Sequence, residues 1–225
     1  MTTQTRKIAV LTGDLVGSTA LGPAKVEQAF DALEACADMQ ADWMDGQSLH
    51  FTRHRGDGWQ VALAEPKYAL RSALCFRAAL RALGEEFDTY IGIAEGDVAG
   101  EIGPDLNEET TAPFTASGAN LEHLKSGEAL EDIKLSSTGI RMLYDRTTPQ
   151  DALAIALDGY ASEWTKVQAA TIYEILPPDY DLNFSKTAIK IGKSRQTVTK
   201  TIRASQYERI SLALASMEMW IDTND

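Results

Sequence analysis

The sequence has few cysteines, few histidines and no long apolar run. Among its 225 residues are two cysteines and three histidines, and no Cys-x-x-Cys motif or zinc-type Cys/His spacing occurs. We therefore expect no disulfide framework or zinc site, and Cys36 and Cys75 should be buried free thiols. No run is long enough to span a bilayer, and the first residues lack the apolar stretch of a secretory signal. These absences predict a cytoplasmic protein without a membrane partner.

Charge is distributed unevenly along the chain. The formal net charge is −12, yet residues 181–225 contain seven Lys/Arg and five Asp/Glu, which gives +2 there and leaves −14 for the remainder. Nucleic acid would repel an acidic body, whereas a basic C-terminal module could bind it. The charge division therefore indicates two functions in two parts of the chain.

The first 147 residues alternate between strand-like and helix-like patterns. An apolar run over 6–13 predicts a buried strand, and Gly92 inside a later strand indicates a close approach of a backbone or a ligand. The further predicted elements are, in order, a helix from Pro23, a hairpin over 48–63 with its tip at Gly56-Asp57-Gly58, a helix from Pro66 capped by Gly84, a strand over 89–94, a helix over 112–125, and short strands at 133–135 and 140–144. This is the β-α-β-β-α-β pattern of a ferredoxin-like sheet with an extension, so we expect an α+β domain.

A composition shift near Thr147–Pro149 predicts a domain boundary, with an α+β domain over 1–147 and a small all-α domain over 148–225. Helices are predicted over 151–159, 164–176 and 207–220, and Pro177-Pro178 separates the last of these from the others.

Residues 184–203, FSKTAIKIGKSRQTVTKTIR, closely resemble the helix-turn-helix of bacterial transcription regulators. Ala188 is small enough for two helices to cross, Gly192 supplies the turn, and Ser194 caps the second helix. The resemblance makes residues 194–203 a recognition helix in which Gln196 could read adenine through its amide. The expected contacts to double-stranded DNA come from Lys186, Lys190, Lys193, Ser194, Arg195, Gln196, Thr197, Thr199, Lys200 and Arg203. An interaction module that kept this shape without binding DNA is the alternative.

Two Gly-Asp pairs lie at the ends of predicted strands. Gly13-Asp14 ends the first strand ahead of a small-residue loop, LVGST, and Asp57 lies at the hairpin tip. Alternation along the hairpin arm puts Arg53 and Arg55 on the same side as Asp57. Taken separately, the two aspartates fit ordinary turns. Together the pairs resemble the catalytic domain of class III nucleotide cyclases, where a small-residue loop follows the first carboxylate and a second Gly-Asp lies on the next hairpin.

This resemblance implies that Asp14 and Asp57 bind Mg²⁺ and that the amides of the loop cradle phosphates. The implied nucleotide-binding residues are Leu15, Val16, Gly17, Ser18, Thr19, Arg53 and Arg55. Residues 117–124 resemble the cyclase helix that carries a catalytic Asn and, four residues on, a phosphate-stabilising Arg. Asn120 is present, but Leu124 stands at the arginine position, which predicts weak catalysis. Lys125, one residue further, should be turned about 100° away.

A wider resemblance is to SatD-like bacterial proteins, a class III nucleotide cyclase-like domain fused to a C-terminal helix-turn-helix. It is carried by the GDLVGS start against ITGDIVNS, RGDGWQ against GDEFQ, and YIGIAEGDV against GIGxGE. It implies a DNA-binding regulator, expected as a homodimer, whose first domain binds a nucleotide with Mg²⁺ or serves as a dimerisation scaffold. Two alternatives stay open: an active Mg²⁺-dependent cyclase or nucleotidyl-transfer enzyme with an accessory helix-turn-helix, and a scaffold without ligand.

Overall fold

The computed structural model of the chain describes residues 5–47, 49–54, 56–126, 139–144 and 148–224. Within these residues the fold is a mixed α+β arrangement of one sheet and several helices. The predicted strand at 133–135, the start of the predicted hairpin at Ser48, the predicted nucleotide contact Arg55 and the predicted boundary residue Thr147 lie outside the described residues.

The described strands form a five-stranded sheet in the order β2-β3-β1-β4-β5. They are β1 Thr5–Leu15, β2 His50–Arg53, β3 Gly58–Leu63, β4 Thr89–Ala99 and β5 Met142–Leu143. β1 pairs antiparallel with β3 and with β4, β2 pairs antiparallel with β3, and β5 runs parallel to β4. β1 lies at the centre because its apolar run can be buried on both faces.

β4 is longer than the sequence predicts. The predicted strand ends at residue 94, yet residues 95–99 pair with the start of β1, ending at Thr5 opposite Ala99. The ladder hydrogen bonds of a long central strand therefore outweigh the local turn preference of Gly96.

Helices cover both faces of the sheet. Ala9 and Leu11 of β1 belong to the core formed with α2, Pro23–Ala41, and α3, Ala69–Arg81, whereas Ile8 and Val10 pack with α4, Ala112–Ser126. A short helix α1, Ser18–Leu21, follows β1 directly. α3 follows a 3-10 turn over Pro66–Tyr68 and is capped by Ala82, so the predicted cap at Gly84 is wrong.

The approach of α4 to the sheet is set by Gly92. A Cβ atom at this position would lie 2.2 Å from the backbone oxygen of Ser117 and 2.4 Å from the backbone nitrogen of Leu121, which no side chain can satisfy. The close approach expected at Gly92 is therefore confirmed as that of a backbone, and it holds α4 over β1 and β4.

The C-terminal part is helical. Its helices are α5 Pro149–Ser162, α6 Lys166–Ile175, α7 Phe184–Lys190, α8 Arg195–Ala204 and α9 Tyr207–Asn224. The first four begin at side-chain caps supplied by Thr148, Thr165, Asn183 and Ser194, each of a kind that contributes about 1 kcal/mol. Among the residues the structure covers, no helix is both long and apolar enough to cross a membrane.

Arginines of α3 join the sheet layer to the C-terminal helices. Arg71 binds Glu218 of α9 through two hydrogen bonds of 2.6 and 2.9 Å, and Arg81 donates to the backbone oxygen of Trp164. The apolar core is continuous across this seam, and it contains the two cysteines as the predicted buried free thiols. The domain boundary near residue 147 stays a prediction.

Candidate functional site

Asp14 and Asp57 lie close together at one end of β1. Asp14 is opposite Gly58 in the β1–β3 ladder, and the amide of Leu15 donates to the backbone oxygen of Asp57 at 3.1 Å. Gly56 makes the hairpin tip possible because its φ of +88° lies in the left-handed region. The antiparallel register thus brings together the two carboxylates that the sequence predicts as metal ligands.

Asp14 is paired with Lys125 of α4, whose Nζ lies 2.8 Å from Asp14 Oδ2. Burial raises the pKa of the Asp14 carboxyl group; the hydrogen bond from Lys125 opposes this rise, and the charge of Asp57 adds to it. The same contact raises the pKa of Lys125. The expectation that Lys125 turns away from the site is wrong, because Leu124 packs into a buried cluster with Leu143, and the next helical position then faces Asp14.

Asp57 accepts a hydrogen bond from the hydroxyl group of Ser18. This bond is the largest contribution to the lowered pKa of the Asp57 carboxyl group. Ser18 begins α1 after Gly17, whose φ of +64° turns the chain sharply at the end of β1. The site therefore holds two carboxylates in different states: Asp57 is stabilised as the anion by a donor, and Asp14 depends on a neighbouring cation.

The loop after β1 is only partly free to contact a phosphate. The Val16 amide donates to the backbone oxygen of Asp88 at 2.9 Å, and that of Leu15 is bound to Asp57 as described above. The predicted phosphate cradle is thus corrected at Leu15 and Val16, because their amides already have partners within the fold. The prediction still applies to Gly17, Ser18 and Thr19.

A cleft of about 500 Å³ is lined by Asp57, the nearer of the two carboxylates, and not by Asp14. This volume lies within the range of about 300 to 1,000 Å³ that is usual for small-molecule sites. Its lining residues are Ser18, Thr19, Gly22, Pro23, Val26, Glu27, Arg53, Gly56 and Asp57. Arg53 and Asp57 therefore line the same cleft, as the alternation along the hairpin arm indicates.

Arg53 is held in this cleft by Glu27 of α2, a residue that belongs to none of the predicted motifs. Nη1 and Nη2 of Arg53 donate to the two carboxylate oxygens of Glu27 at 2.9 and 2.7 Å, and the guanidinium lies 3.8 Å from the ring centroid of Phe30. The hydrogen bond from Arg53 lowers the pKa of Glu27. The pair presents planar donors and acceptors next to the apolar wall of Val26, a combination that can bind the edge of a heterocycle.

The side chain of Asn120 is bound to backbone atoms within the fold. Its side-chain nitrogen donates to the backbone oxygens of Ile93 and Tyr144 at 2.8 and 2.6 Å, and the residue is buried. These bonds fix α4 to β4 and to the segment after β5. Both N–H groups are then occupied, so in this conformation Asn120 has no donor left for a phosphate, and its catalytic role stays a prediction.

The residues predicted to contact DNA lie on α7, on the turn after it and on α8. None of the ten is buried, whereas Val198, Thr201 and Ile202 form the inner face of α8. Gly192 has a φ of +64°, and Ser194 accepts a hydrogen bond from the amide of Thr197. Lys190 forms an ion pair with Glu174 of α6, which reduces the charge it can offer to a phosphate.

Comparison with known proteins gives no family assignment. No family model and no curated protein matches the chain. Among solved structures, it is similar to a bacterial light-regulated adenylyl cyclase, with 14% identity over 63% of this chain and 43% of that chain and a TM-score of 0.41. It is also similar to the guanylyl cyclase Cya2, with 22% identity over 53% of this chain and 71% of that chain and a TM-score of 0.38.

A third similarity is to a regulator of polyketide synthase expression from Bifidobacterium adolescentis, with 12% identity, 97% of this chain and 82% of that chain covered, and a TM-score of 0.31. The chain spans less than half of the light-regulated adenylyl cyclase chain that it matches. Because all of these TM-scores are below 0.5, no conclusion about function follows from them, and the functional interpretation depends on the geometry of this chain.

Proposed function

We propose that the chain is a DNA-binding regulator whose α+β part binds a nucleoside triphosphate together with Mg²⁺. The observation that carries the proposal is the meeting of Asp14 and Asp57, the second of which lines a cleft of about 500 Å³. The exposed polar face of α8, at the other end of the chain, supports the DNA-binding part.

The oxygen donors of the site fit Mg²⁺. Carboxylates such as Asp14 and Asp57 and a hydroxyl such as that of Ser18 are hard ligands, and Mg²⁺ usually takes one or two carboxylates, several waters and substrate phosphates. Within the described ranges, no group of three or more His, Cys, Asp and Glu side chains could enclose a metal. The donor set therefore suits an ion that arrives with phosphates. Bound there, Mg²⁺ would neutralise phosphate charge.

The nucleotide would lie along the cleft. Ser18 and Thr19 line the cleft next to Asp57 and, together with Gly17, would contact the phosphates. The Arg53–Glu27 pair lines the same cleft as the apolar Val26 and would contact a base or ribose. This arrangement separates a charged end from a planar, partly apolar end, as a nucleotide requires.

The strand order supports the finer fold inference. β2, β3, β1 and β4 form a fully antiparallel set in which β1 and β4 are linked through two helices and a hairpin. This is the order expected of a ferredoxin-like β-α-β-β-α-β unit, and it agrees with the inferred resemblance to class III nucleotide cyclases and SatD-like proteins.

An active cyclase or nucleotidyl-transfer enzyme is the second candidate, favoured by the same two carboxylates. Against efficient catalysis, Leu124 supplies no cation and packs in a buried cluster, and both N–H groups of Asn120 bind backbone carbonyls. Transition-state stabilisation of phosphoryl transfer depends on such preorganised donors. We therefore propose nucleotide binding, rather than catalytic turnover, as the function of this site.

The DNA-binding part of the proposal depends on α7 and α8. The short turn between them, the Ser194 cap and the exposed Arg195, Gln196 and Lys200 fit a helix-turn-helix whose second helix enters the major groove. A homodimer would place two such helices on successive half-sites of the DNA.

The test is a titration of the purified protein with ATP, GTP, CTP and UTP in the presence of Mg²⁺, following thermal unfolding and product formation together. A ligand at 100 times its Kd should add about 2.7 kcal/mol to the free energy of unfolding. Stabilisation that is lost in Asp57→Asn but kept in Asp97→Asn, an exposed control, supports the proposal. Formation of a cyclic product would show that the protein is an enzyme. The absence of any response to the four nucleotides would favour a scaffold without ligand.

DNA binding is tested by fluorescence anisotropy with double-stranded DNA at several salt concentrations. Arg195→Ala should weaken binding and reduce the salt dependence by about one charge, whereas Arg209→Ala on α9 should leave both unchanged. Equal binding of the two variants, or none by the wild type, would contradict this part.

A further inference from the structure

The least expected contact of the site is the one between Asp14 and Lys125. Lys125 comes from the last turn of α4, its side chain is 38% exposed, and that of Asp14 is 16% exposed. The lysine therefore reaches a half-buried carboxylate from the solvent side. Its tip can leave this position without disturbing the core, because Leu124, not Lys125, anchors this turn of the helix.

The charges of the site do not balance without an additional cation. Asp14 and Asp57 supply two negative charges close together, Ser18 donates a neutral hydrogen bond to Asp57, and Lys125 supplies one positive charge. One negative charge remains uncompensated, so the ligand-free site favours binding of a cation. Lys125 already neutralises the other carboxylate charge.

Lys125 and a metal ion would compete for the same oxygen. The ammonium group occupies Asp14 Oδ2 at 2.8 Å, and an ammonium and a metal ion cannot both lie in that position. A partly exposed ion pair of this kind is weak because water screens it, so binding of Mg²⁺ can displace the lysine. The displaced ammonium then lies within one flexible side-chain length of the incoming phosphates.

We propose that Lys125 is a phosphate-binding residue that neutralises Asp14 in the ligand-free protein and moves to the phosphates when a nucleotide and Mg²⁺ bind. The inference rests on the proposed function of the site. Lysine suits this exchange because its compact charge carries three donors on a flexible stem and binds phosphate well without a fixed geometry. It would give the site a cation that Leu124 does not provide.

The experiment is isothermal titration calorimetry on four proteins: the wild type, Lys125→Met, Lys125→Arg, and Lys67→Met. Lys67 is a matched control, since its Nζ forms a comparable ion pair at 3.1 Å with Asp222, a residue of α9. Each protein is titrated with MgCl₂ alone, with inorganic triphosphate plus Mg²⁺, and with whichever of the four nucleoside triphosphates binds most tightly.

Removal of the lysine should change the affinity for Mg²⁺ alone and the affinity for the phosphate ligands in opposite directions. Lys125→Met should bind Mg²⁺ alone about fivefold more tightly, because the competing ammonium is gone, and should bind triphosphate and nucleotide about tenfold or more weakly. Lys125→Arg should retain most of the phosphate affinity, and Lys67→Met should match the wild type.

A Lys125→Met variant that binds triphosphate as tightly as the wild type would overturn the role of Lys125 alone. Weaker rather than tighter binding of Mg²⁺ by that variant would do the same, since it would make the lysine a structural support of the metal site. If the wild type itself binds none of the nucleotides, the proposed function fails, and with it the inference.

Discussion

Arg77 and Asp88 form a two-bond ion pair inside the protein, with Nε to Oδ1 at 2.9 Å and Nη2 to Oδ2 at 2.8 Å. Arg77 also donates to the carboxylate of Asp158 in α5, and the backbone oxygen of Asp88 accepts the amide of Val16. One buried pair therefore contacts the loop after β1 and a helix of the C-terminal part. A movement of the loop after β1 would therefore be transmitted to α5 through these hydrogen bonds.

Replacing Arg77 with Met should strongly destabilise the protein. The arginine is fully buried, and its removal leaves the buried carboxylate of Asp158 without its partner cation and that of Asp88 with Arg81 alone. Breaking a buried ion pair in this way typically costs about 3 to 5 kcal/mol. Urea unfolding measures the change, with Arg209→Met on the surface as a control. A loss below about 1 kcal/mol would mean that water reaches the pair.

Stability should also depend on pH through Asp158. Burial raises the pKa of this carboxyl group from 3.8 to about 6, and Arg77 only partly opposes the rise because it is shared with Asp88. Since the folded state then binds a proton more tightly than the unfolded state, this contribution stabilises at low pH and is lost as the pH rises from about 4 to about 6.

The measurement is the free energy of unfolding across that pH range in the wild type and in Asp158→Asn. The difference between the two proteins should change by the order of 2 to 3 kcal/mol over the interval. Parallel pH profiles would show that Asp158 stays ionised in the folded protein.

Local signals predict the elements of this fold well. Gly22-Pro23 starts α2, Ser194 caps α8, and Gly92 marks the contact with α4, because each depends on backbone geometry within a few residues. The extension of β4 to Ala99 was missed, because pairing with β1 decides it.

In the candidate site, too, the residues with local signals are predicted and those placed by distant contacts are not. The sequence identifies Asp14 and Asp57, since both belong to Gly-Asp turns, but it places Lys125 outside the site and does not single out Glu27. Both side chains reach their partners across the fold, so helical periodicity alone could not assign them. α3 buries Arg71 and Arg77 as well as its apolar residues, because the C-terminal helices cover the side that faces solvent in a simple amphipathic helix.

Gly92→Ala should move α4 and weaken the site indirectly. The new methyl group would meet the backbone of α4 at 2.2 Å, which no side-chain rotation can relieve. We expect a loss of about 1 to 3 kcal/mol in the free energy of unfolding, together with weaker nucleotide binding, since Lys125 moves with the helix. Gly118→Ala is the matched control: its methyl group would have open space within the same helix, and it should be neutral or stabilising by up to about 1 kcal/mol. Similar effects of the two changes would show that α4 tolerates displacement.

Arg53→Met should separate recognition of the base from binding of the metal. The change removes the planar donors next to Val26 in the cleft but leaves Asp14, Asp57 and Ser18 unaltered. We expect about tenfold weaker binding of the preferred nucleotide, because hydrogen bonds to a charged group are lost, with the affinity for inorganic triphosphate plus Mg²⁺ unchanged. Calorimetry with both ligands distinguishes the contributions. Equal losses for nucleotide and triphosphate would place Arg53 at the phosphates, and loss of neither would exclude it from the site, because a residue that touches any part of the bound nucleotide must change one of the two affinities.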